Sequence, residues 1–159
     1  MKVGIVMGSK SDYPVVERTE KILKDFGVEY TTRIISAHRT PAAAEAFASG
    51  AEEAGIEVII AAAGKAAHLG GVLAAYTPLP VIGLPIKSST LDGLDSLLSI
   101  VQMPKGVPVA TVAIDGAENA GILAVQMLSL KYPELREKMK AYKVKMAEDI
   151  EALDREFNA

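Results

Sequence analysis

The chain reads as an α/β protein, a three-layer sandwich built on a doubly wound parallel sheet of five strands with a long helix at its C-terminal end. Three observations carry that reading. Short apolar runs alternate with helical periodicities from Lys2 to Leu130, the pattern of parallel strands joined by helical crossovers. Of the 159 residues 50% are hydrophobic, yet only 5% are aromatic and Trp is absent, so the core is built from Ala, Val, Ile and Leu, as in strands buried on both faces. A chain of this length fills one well-buried core and is too short for two, so residues 1–159 are expected to form a single domain.

Lys2–Met7 is a short apolar run, a buried strand, and it ends in the polar turn Gly8-Ser9-Lys10-Ser11-Asp12-Tyr13-Pro14. Val15, Val16, Thr19, Ile22, Leu23 and Phe26 then recur at helical spacing with charges between them, and Gly27 supplies the stop. Val28–Ile35 is rich in strand formers. It leads into the polar loop Ser36-Ala37-His38-Arg39-Thr40-Pro41, with proline at a helix start, and the Ala-rich segment Ala42–Ala54 is expected to run as a helix to Gly55. The third strand, Glu57–Ala63, opens into a run of small residues, Gly64-Lys65-Ala66-Ala67-His68-Leu69-Gly70-Gly71, with a short helix expected through Leu73–Tyr76. Pro80–Leu84 and Val107–Ala113 are the fourth and fifth strands, and Ala117–Leu130 is an apolar helix that covers the sheet. Between those strands Ser88–Pro104 is long for a connection and apolar for a loop, which predicts a short helix acting as a lid or an interface.

The tail, Pro133–Asn158, carries Leu135, Met139, Tyr142, Met146, Ile150, Leu153 and Phe157 at helical steps with charges elsewhere. Such a helix spans ~37 Å at its regular rise per residue, longer than a small domain needs. Its narrow apolar stripe predicts contacts between copies of the chain; the plainer reading is a helix folded onto its own sheet.

A net charge of -3 offers no basic footprint for nucleic acid. Cysteine is absent, which excludes disulfides, thiolate nucleophiles and Cys-based zinc sites, and two histidines make a multi-His metal site improbable. Met1–Met7 is too short for a signal-peptide core, and no apolar run reaches the ~18 residues that span a bilayer. The expectation is a soluble cytoplasmic protein with no nucleic-acid or membrane partner.

Parallel strands joined by right-handed crossovers bring their C-terminal ends to one edge of the sheet. In the flavodoxin-like order 2-1-3-4-5 the first strand lies between the second and third, and the crevice at that switch point gathers the three loops that follow them. Ser9, Ser11 and Asp12 in the first loop offer N–H groups and hydroxyls for a phosphate and a carboxylate for ribose hydroxyls; the plainer reading of Ser11 or Asp12 is a helix N-cap. Arg39 in the second is a bidentate partner for a phosphate, flanked by Ser36 and His38; its plainer reading is a surface salt bridge. His68 in the third sits among small residues that let a ligand approach the backbone, and imidazole is the side chain suited to proton transfer near neutrality; otherwise it caps or packs beneath a helix. Together the loops describe a phosphorylated ribose ligand with His68 and His38 near its reacting end. Neither a glycine-rich dinucleotide fingerprint nor a Walker A sequence is present, so no cofactor is demanded.

Four ordered motifs, Met7-Gly8-Ser9-Lys10-Ser11-Asp12, Ser36-Ala37-His38-Arg39-Thr40-Pro41, Ala63-Gly64-Lys65-Ala66-Ala67-His68-Leu69 and the segment Gly93–Pro104, resemble the class I N5-carboxyaminoimidazole ribonucleotide mutase family of purine (IMP) biosynthesis. The likeness extends over nearly the whole chain. It implies an isomerase that moves a carboxylate from the exocyclic nitrogen of an imidazole ribonucleotide to ring C4, with CO2 transient in the site and with no metal or organic cofactor. By the same resemblance Ser9, Asp12 and Arg39, helped by Ser11 and Ser36, would bind the ribose phosphate. Ala37, Gly64, Lys65, Ala67 and Leu69, in the same loops, are further candidate substrate contacts; the resemblance implies His68 as the acid/base, with His38 beside it, and a homo-octamer with sites at subunit junctions. A single histidine that first gives and then takes a proton can serve both halves of such a transfer, and small apolar neighbours such as Ala66, Ala67 and Leu69 would hold CO2 and keep water out. His68→Asn is then expected to keep the fold and ligand binding and to lose turnover.

The family commonly reads G-G-A-A-H-L-P-G, where this chain has Lys65 for the second glycine and Gly70 for the proline. If the segment is helical, Lys65 shares a face with His68 and disfavours its charged form; alternatively it reaches the substrate carboxylate or points into water. Two other functions remain open at this point. One is a class II carboxylase that takes free CO2 and aminoimidazole ribonucleotide. The other is a non-catalytic flavodoxin-like nucleotide-binding module, against which stand the lack of any cluster of aromatic residues in the three loops and of an acidic pair after the first strand.

Overall fold

Side chains along a strand point alternately to its two faces, and in the third strand both sets are apolar: Val58, Ile60 and Ala62 enter one core, Ile59, Ala61 and Ala63 the other. In the computed structural model, which describes residues 1–159, that strand lies at the centre of a five-stranded sheet. The strands are β1 (Lys2–Met7), β2 (Glu29–Ile34), β3 (Val58–Gly64), β4 (Val81–Ile86) and β5 (Ala110–Thr111), in the order β2-β1-β3-β4-β5. Every neighbouring pair is parallel, with Ile5 opposite Thr32 on one side and Ile60 on the other.

Six helices cover the two faces: α1 (Tyr13–Phe26), α2 (Pro41–Ser49), α3 (Leu69–Ala75), α4 (Leu94–Val101), α5 (Ala117–Leu128) and α6 (Pro133–Phe157). On one face Val16, Leu23, Ala120, Ala124, Leu128 and Leu135 of α1, α5 and α6 pack on Val3, Ile5 and Leu84. On the other, Ala44, Ala48, Leu73 and Ile100 of α2, α3 and α4 pack on Val6 and Ile59. This is the expected three-layer, flavodoxin-like fold. Ile5, Ile59, Ile60, Ile82 and Leu84 are fully buried, each contributing about 1.5–3 kcal/mol by leaving water. The helix layer sits close because Gly83 has no side chain: a Cβ there would lie 2.4 Å from Ile100 Cγ2.

Several element ends differ from the sequence expectation, each for a local reason. The second helix stops at Ser49 instead of Ala54, because the chain turns at Gly50 (φ -89°, ψ 2°) so that Ala51 and Ile56 can enter the core. The third helix begins earlier, at Leu69, immediately after His68. The fifth strand keeps only Ala110 and Thr111 of the expected Val107–Ala113. Pro85 is part of the cause: its carbonyl accepts from Asp115 N–H at 2.8 Å, so this side of the residue faces the fifth-strand segment, and proline has no N–H to return. The Ser88–Pro104 connection contains a short 3-10 turn, Leu91–Gly93, and then α4, whose Leu94, Leu98 and Val101 are exposed.

The long helix has two distinct halves. Leu135 and Met139 are buried, and Tyr142 meets Phe26 with ring centroids 5.5 Å apart. Beyond that point Val144, Met146, Ile150, Leu153 and Phe157 are all exposed. No helix is long and apolar enough to cross a membrane.

Candidate active site

The C-terminal ends of the parallel strands share one edge, and four of the loops that leave it enclose a cleft of about 620 Å³. That volume lies in the range of small-molecule sites. The loop after β1 is closed by its own polar groups. Ser9 Oγ accepts from Ser11 N–H at 3.3 Å and from the Ser11 hydroxyl at 2.9 Å, while Ser9 N–H donates to Asp12 Oδ2 at 3.2 Å. Asp12 precedes α1 yet makes no side-chain cap to it, so its carboxylate serves the loop instead. Burial pushes the Asp12 carboxyl up from its ordinary value, opposed by hydrogen bonds from the Ser11 hydroxyl and the Ser9 N–H.

Ser36 to Thr40 form a tight turn in which Thr40 N–H donates to Ser36 O at 2.8 Å, and Pro41 then starts α2. This turn fixes Arg39. Its Nε donates to Ser36 Oγ at 3.3 Å and Nη2 to Gly8 O at 3.3 Å, so the guanidinium bridges the first two loops. No carboxylate pairs with it. A guanidinium anchored by neutral oxygens on a cleft wall retains its charge for an anion.

After β3 the chain turns through Lys65, whose φ of +56° lies in the left-handed region, a conformation that costs a non-glycine residue about 1–2 kcal/mol. Ala67 N–H donates to Lys65 O at 2.8 Å and His68 N–H to Ala66 O at 2.8 Å, which brings the chain into α3. His68 stands at the N-cap position but makes no side-chain cap, and its ring is exposed rather than packed in the core. Its partner is the other histidine: His38 Nε2 lies 2.9 Å from His68 Nδ1, the rings meeting edge to face at 84°. One proton lies between the two nitrogens, so one ring donates and the other accepts.

Gly8, Ser9, Ser11, Asp12, Ser36, Ala37, His38, Arg39, Gly64, Lys65 and Leu69 all line the cleft. His68 is exposed next to His38, which it meets through Nδ1. Ala67 is buried in the core, away from the cleft wall. Sequence reasoning missed Ile86, Lys87 and Ser88, which close the fourth side. The signal was available, because they follow β4 and therefore leave the same edge as the other three loops. Lys87 is held by its backbone, N–H to Asp115 Oδ1 at 2.8 Å, and its ammonium pairs with Asp92 at 3.4 Å. No three His, Asp or Glu side chains converge as a metal would require.

Fold and site together define a doubly wound α/β protein with a nucleotide-sized polar cleft at the switch point of its sheet and an imidazole pair at that cleft. Comparison with known proteins narrows the class. The chain belongs to the AIR carboxylase family, whose model matches residues 2–149. It is 64% identical over 145 residues to the N5-carboxyaminoimidazole ribonucleotide mutase of Pyrococcus abyssi, covering 91% of this chain and 83% of that one. It is 60% identical over 149 residues to the protein of the same name from Thermotoga maritima, covering 94% and 87%. The crystal structure of Treponema denticola PurE superposes with a TM-score of 0.84 at 32% identity, over 94% of this chain and 93% of that one.

Proposed function

We propose that the chain is an N5-carboxyaminoimidazole ribonucleotide mutase, converting N5-carboxyaminoimidazole ribonucleotide to 4-carboxy-5-aminoimidazole ribonucleotide in purine biosynthesis. The observation that carries the reading is the hydrogen-bonded pair His38–His68, 2.9 Å apart, in which His38 shares a cleft with the unpaired guanidinium of Arg39. Relatives bearing the mutase name at 64% and 60% identity support it.

Ser9, Ser11, Ser36 and Arg39 hold the phosphate, and Asp12 accepts from the ribose hydroxyls. The imidazole pair, charged by one proton, gives that proton to the exocyclic nitrogen. The bond from nitrogen to the carboxyl carbon breaks, its electron pair stays on nitrogen, and CO2 is released. Ring C4 then attacks the CO2 carbon, forming the new carbon–carbon bond. The now neutral pair removes the C4 proton, which restores the aromatic ring and returns the pair to its starting charge. One proton is given and one taken, and the substrate supplies its own carboxyl group, so the balance closes without a cofactor. His38, on the cleft wall, is the ring that meets the substrate, and His68 positions it. Ala63, Ala66, Leu69 and Ile86 give the apolar surface against which CO2 waits.

Residues 1–159 act as one catalytic domain, with 133–158 making contacts between copies. The support is the bare outer half of α6, with Ile150 and Phe157 at 67% and 89% exposure, and the exposed Leu94, Leu98 and Val101 on α4. A homo-octamer and a cytoplasmic location follow from the resemblance to the mutase family. The test is to supply the purified protein with the carbamate substrate in bicarbonate-free buffer and to follow the C4 carboxylate. Formation of product supports the mutase. Product only from aminoimidazole ribonucleotide with added CO2 would establish the class II carboxylase instead.

A further inference from the structure

The cleft is charged asymmetrically, and one of its cations has no partner in the protein. Arg39 and the hydroxyls of Ser9, Ser11 and Ser36 stand on the loops after β1 and β2. Lys65 and Lys87 stand on the loops after β3 and β4, and Asp12, the one carboxylate on the wall, belongs to the first group. Lys87 is partly neutralised by Asp92 at 3.4 Å and Arg39 is anchored on Ser36 Oγ and Gly8 O, whereas the Lys65 ammonium makes no hydrogen bond or ion pair. Its backbone is nevertheless fixed: φ is +56°, and its carbonyl accepts from Ala67 N–H at 2.8 Å and Ser99 Oγ at 3.4 Å. A long cationic side chain is thus rooted at a turn that a glycine would adopt with less strain, on the wall of the cleft.

We propose that Lys65 is a specificity residue for the carboxylate of the ligand, holding that group on the β3–β4 side while Arg39 holds the phosphate on the β1–β2 side. This rests on the mutase reading, whose substrate and product both carry these two anionic groups. Lys87 lies on the same side but is drawn to Asp92, so Lys65 provides the free charge. The contact distinguishes the two carboxylated ribonucleotides from the decarboxylated aminoimidazole ribonucleotide, which has the phosphate alone. It thereby favours retention of the forms that still carry the carboxyl group.

The experiment is calorimetric binding of 4-carboxy-5-aminoimidazole ribonucleotide and of aminoimidazole ribonucleotide to the full-length protein and to Lys65→Gly and Lys65→Arg. Lys65→Gly is expected to weaken the carboxylated ligand about tenfold, as loss of a charge-assisted contact in a water-accessible cleft should. It should leave the decarboxylated ligand within about twofold, since no charge faces Lys65 there. Lys65→Arg is expected to retain most of the preference, and added salt should shrink it. Equal weakening of both ligands, or of neither, overturns the proposal, because a turn that merely holds the loop, or a lysine in water, predicts those results. If the unsubstituted protein binds neither ribonucleotide, the mutase reading itself fails; if it binds both and Lys65→Gly does not selectively weaken the carboxylated one, the role of Lys65 alone fails.

Discussion

Replacing each histidine by the amide that preserves one of its ring nitrogens separates proton transfer from positioning. His68 meets His38 through Nδ1, at 2.9 Å from His38 Nε2. Asparagine places a polar atom near the position of Nδ1 and glutamine near that of Nε2. His68→Asn therefore keeps an atom that can bond to His38, while His38→Gln keeps the bond to His68 and loses the group that exchanges the proton. Loss of general acid–base catalysis costs about 10²–10⁴-fold in kcat, so His38→Gln should fall by that factor with substrate affinity retained. His68→Asn, at worst one weakened hydrogen bond of about 1 kcal/mol, should lose roughly fivefold on this reading, against the loss of turnover expected from the family resemblance with His68 as the acid/base. His68→Ala leaves the His38 ring unheld and should lose roughly 10–100-fold, since misplacement by an ångström can cost that much. Steady-state kcat and KM, with ligand affinity measured separately, give the comparison. If His68→Asn is as inactive as His38→Gln, His68 transfers the proton itself and the positioning role assigned to it is wrong.

Three further outcomes follow from packing and charge. Burial alone would raise the carboxyl of Glu57, but hydrogen bonds from Lys131 and Tyr132 and the charges of Lys131 and the N-terminus outweigh it and lower its pKa. A depressed carboxylate stabilises the fold above its unfolded pKa and loses that contribution as pH falls through the folded one. Glu57→Gln should thus cost about 1 kcal/mol or less near neutrality, given the 68% exposure of Lys131, and the difference should vanish in acid denaturation series. At Gly70 a Cβ would meet Val109 Cγ1 at 3.5 Å, an ordinary contact, and φ is not positive. Gly70→Ala in the first turn of α3 should raise stability by about 0.4–1 kcal/mol in urea unfolding, and a loss would reveal a tighter site. Removal of residues 144–159, whose apolar side chains are exposed, should leave the fold intact by circular dichroism and lower the assembly order in light scattering; an unchanged order would remove α6 from the interface.

The sheet order and the helix layers were legible because buried strands and amphipathic helices carry their periods locally. The C-terminal edge followed from topology, and with it the meeting of Ser9, Asp12, Ser36, Arg39 and Gly64. What was not legible depends on which way a side chain turns at the end of an element. Ala67 and His68 are adjacent in a loop read as one functional stretch, yet Ala67 turns into the core while His68 stays exposed against His38. A motif gives the members of such a pair equal weight, and only the three-dimensional turn through Lys65 separates them. Lys87 and Ser88 escaped notice because Lys87 immediately precedes, and Ser88 opens, the segment Ser88–Pro104 that reads as a lid. The short fifth strand escaped too, since a proline on β4 decides how far its neighbour can pair.

The central claim is that the carboxyl group leaves nitrogen and reaches C4 without leaving the cleft. The most direct measurement supplies substrate isotopically labelled at the carbamate carbon, in buffer with excess unlabelled bicarbonate, and reads the label at the C4 carboxylate of the product by NMR. Retention of the label in nearly all of the product is the predicted result. Dilution of the label to the level of the bicarbonate pool would contradict the account, because the CO2 used for carboxylation would then come from solution.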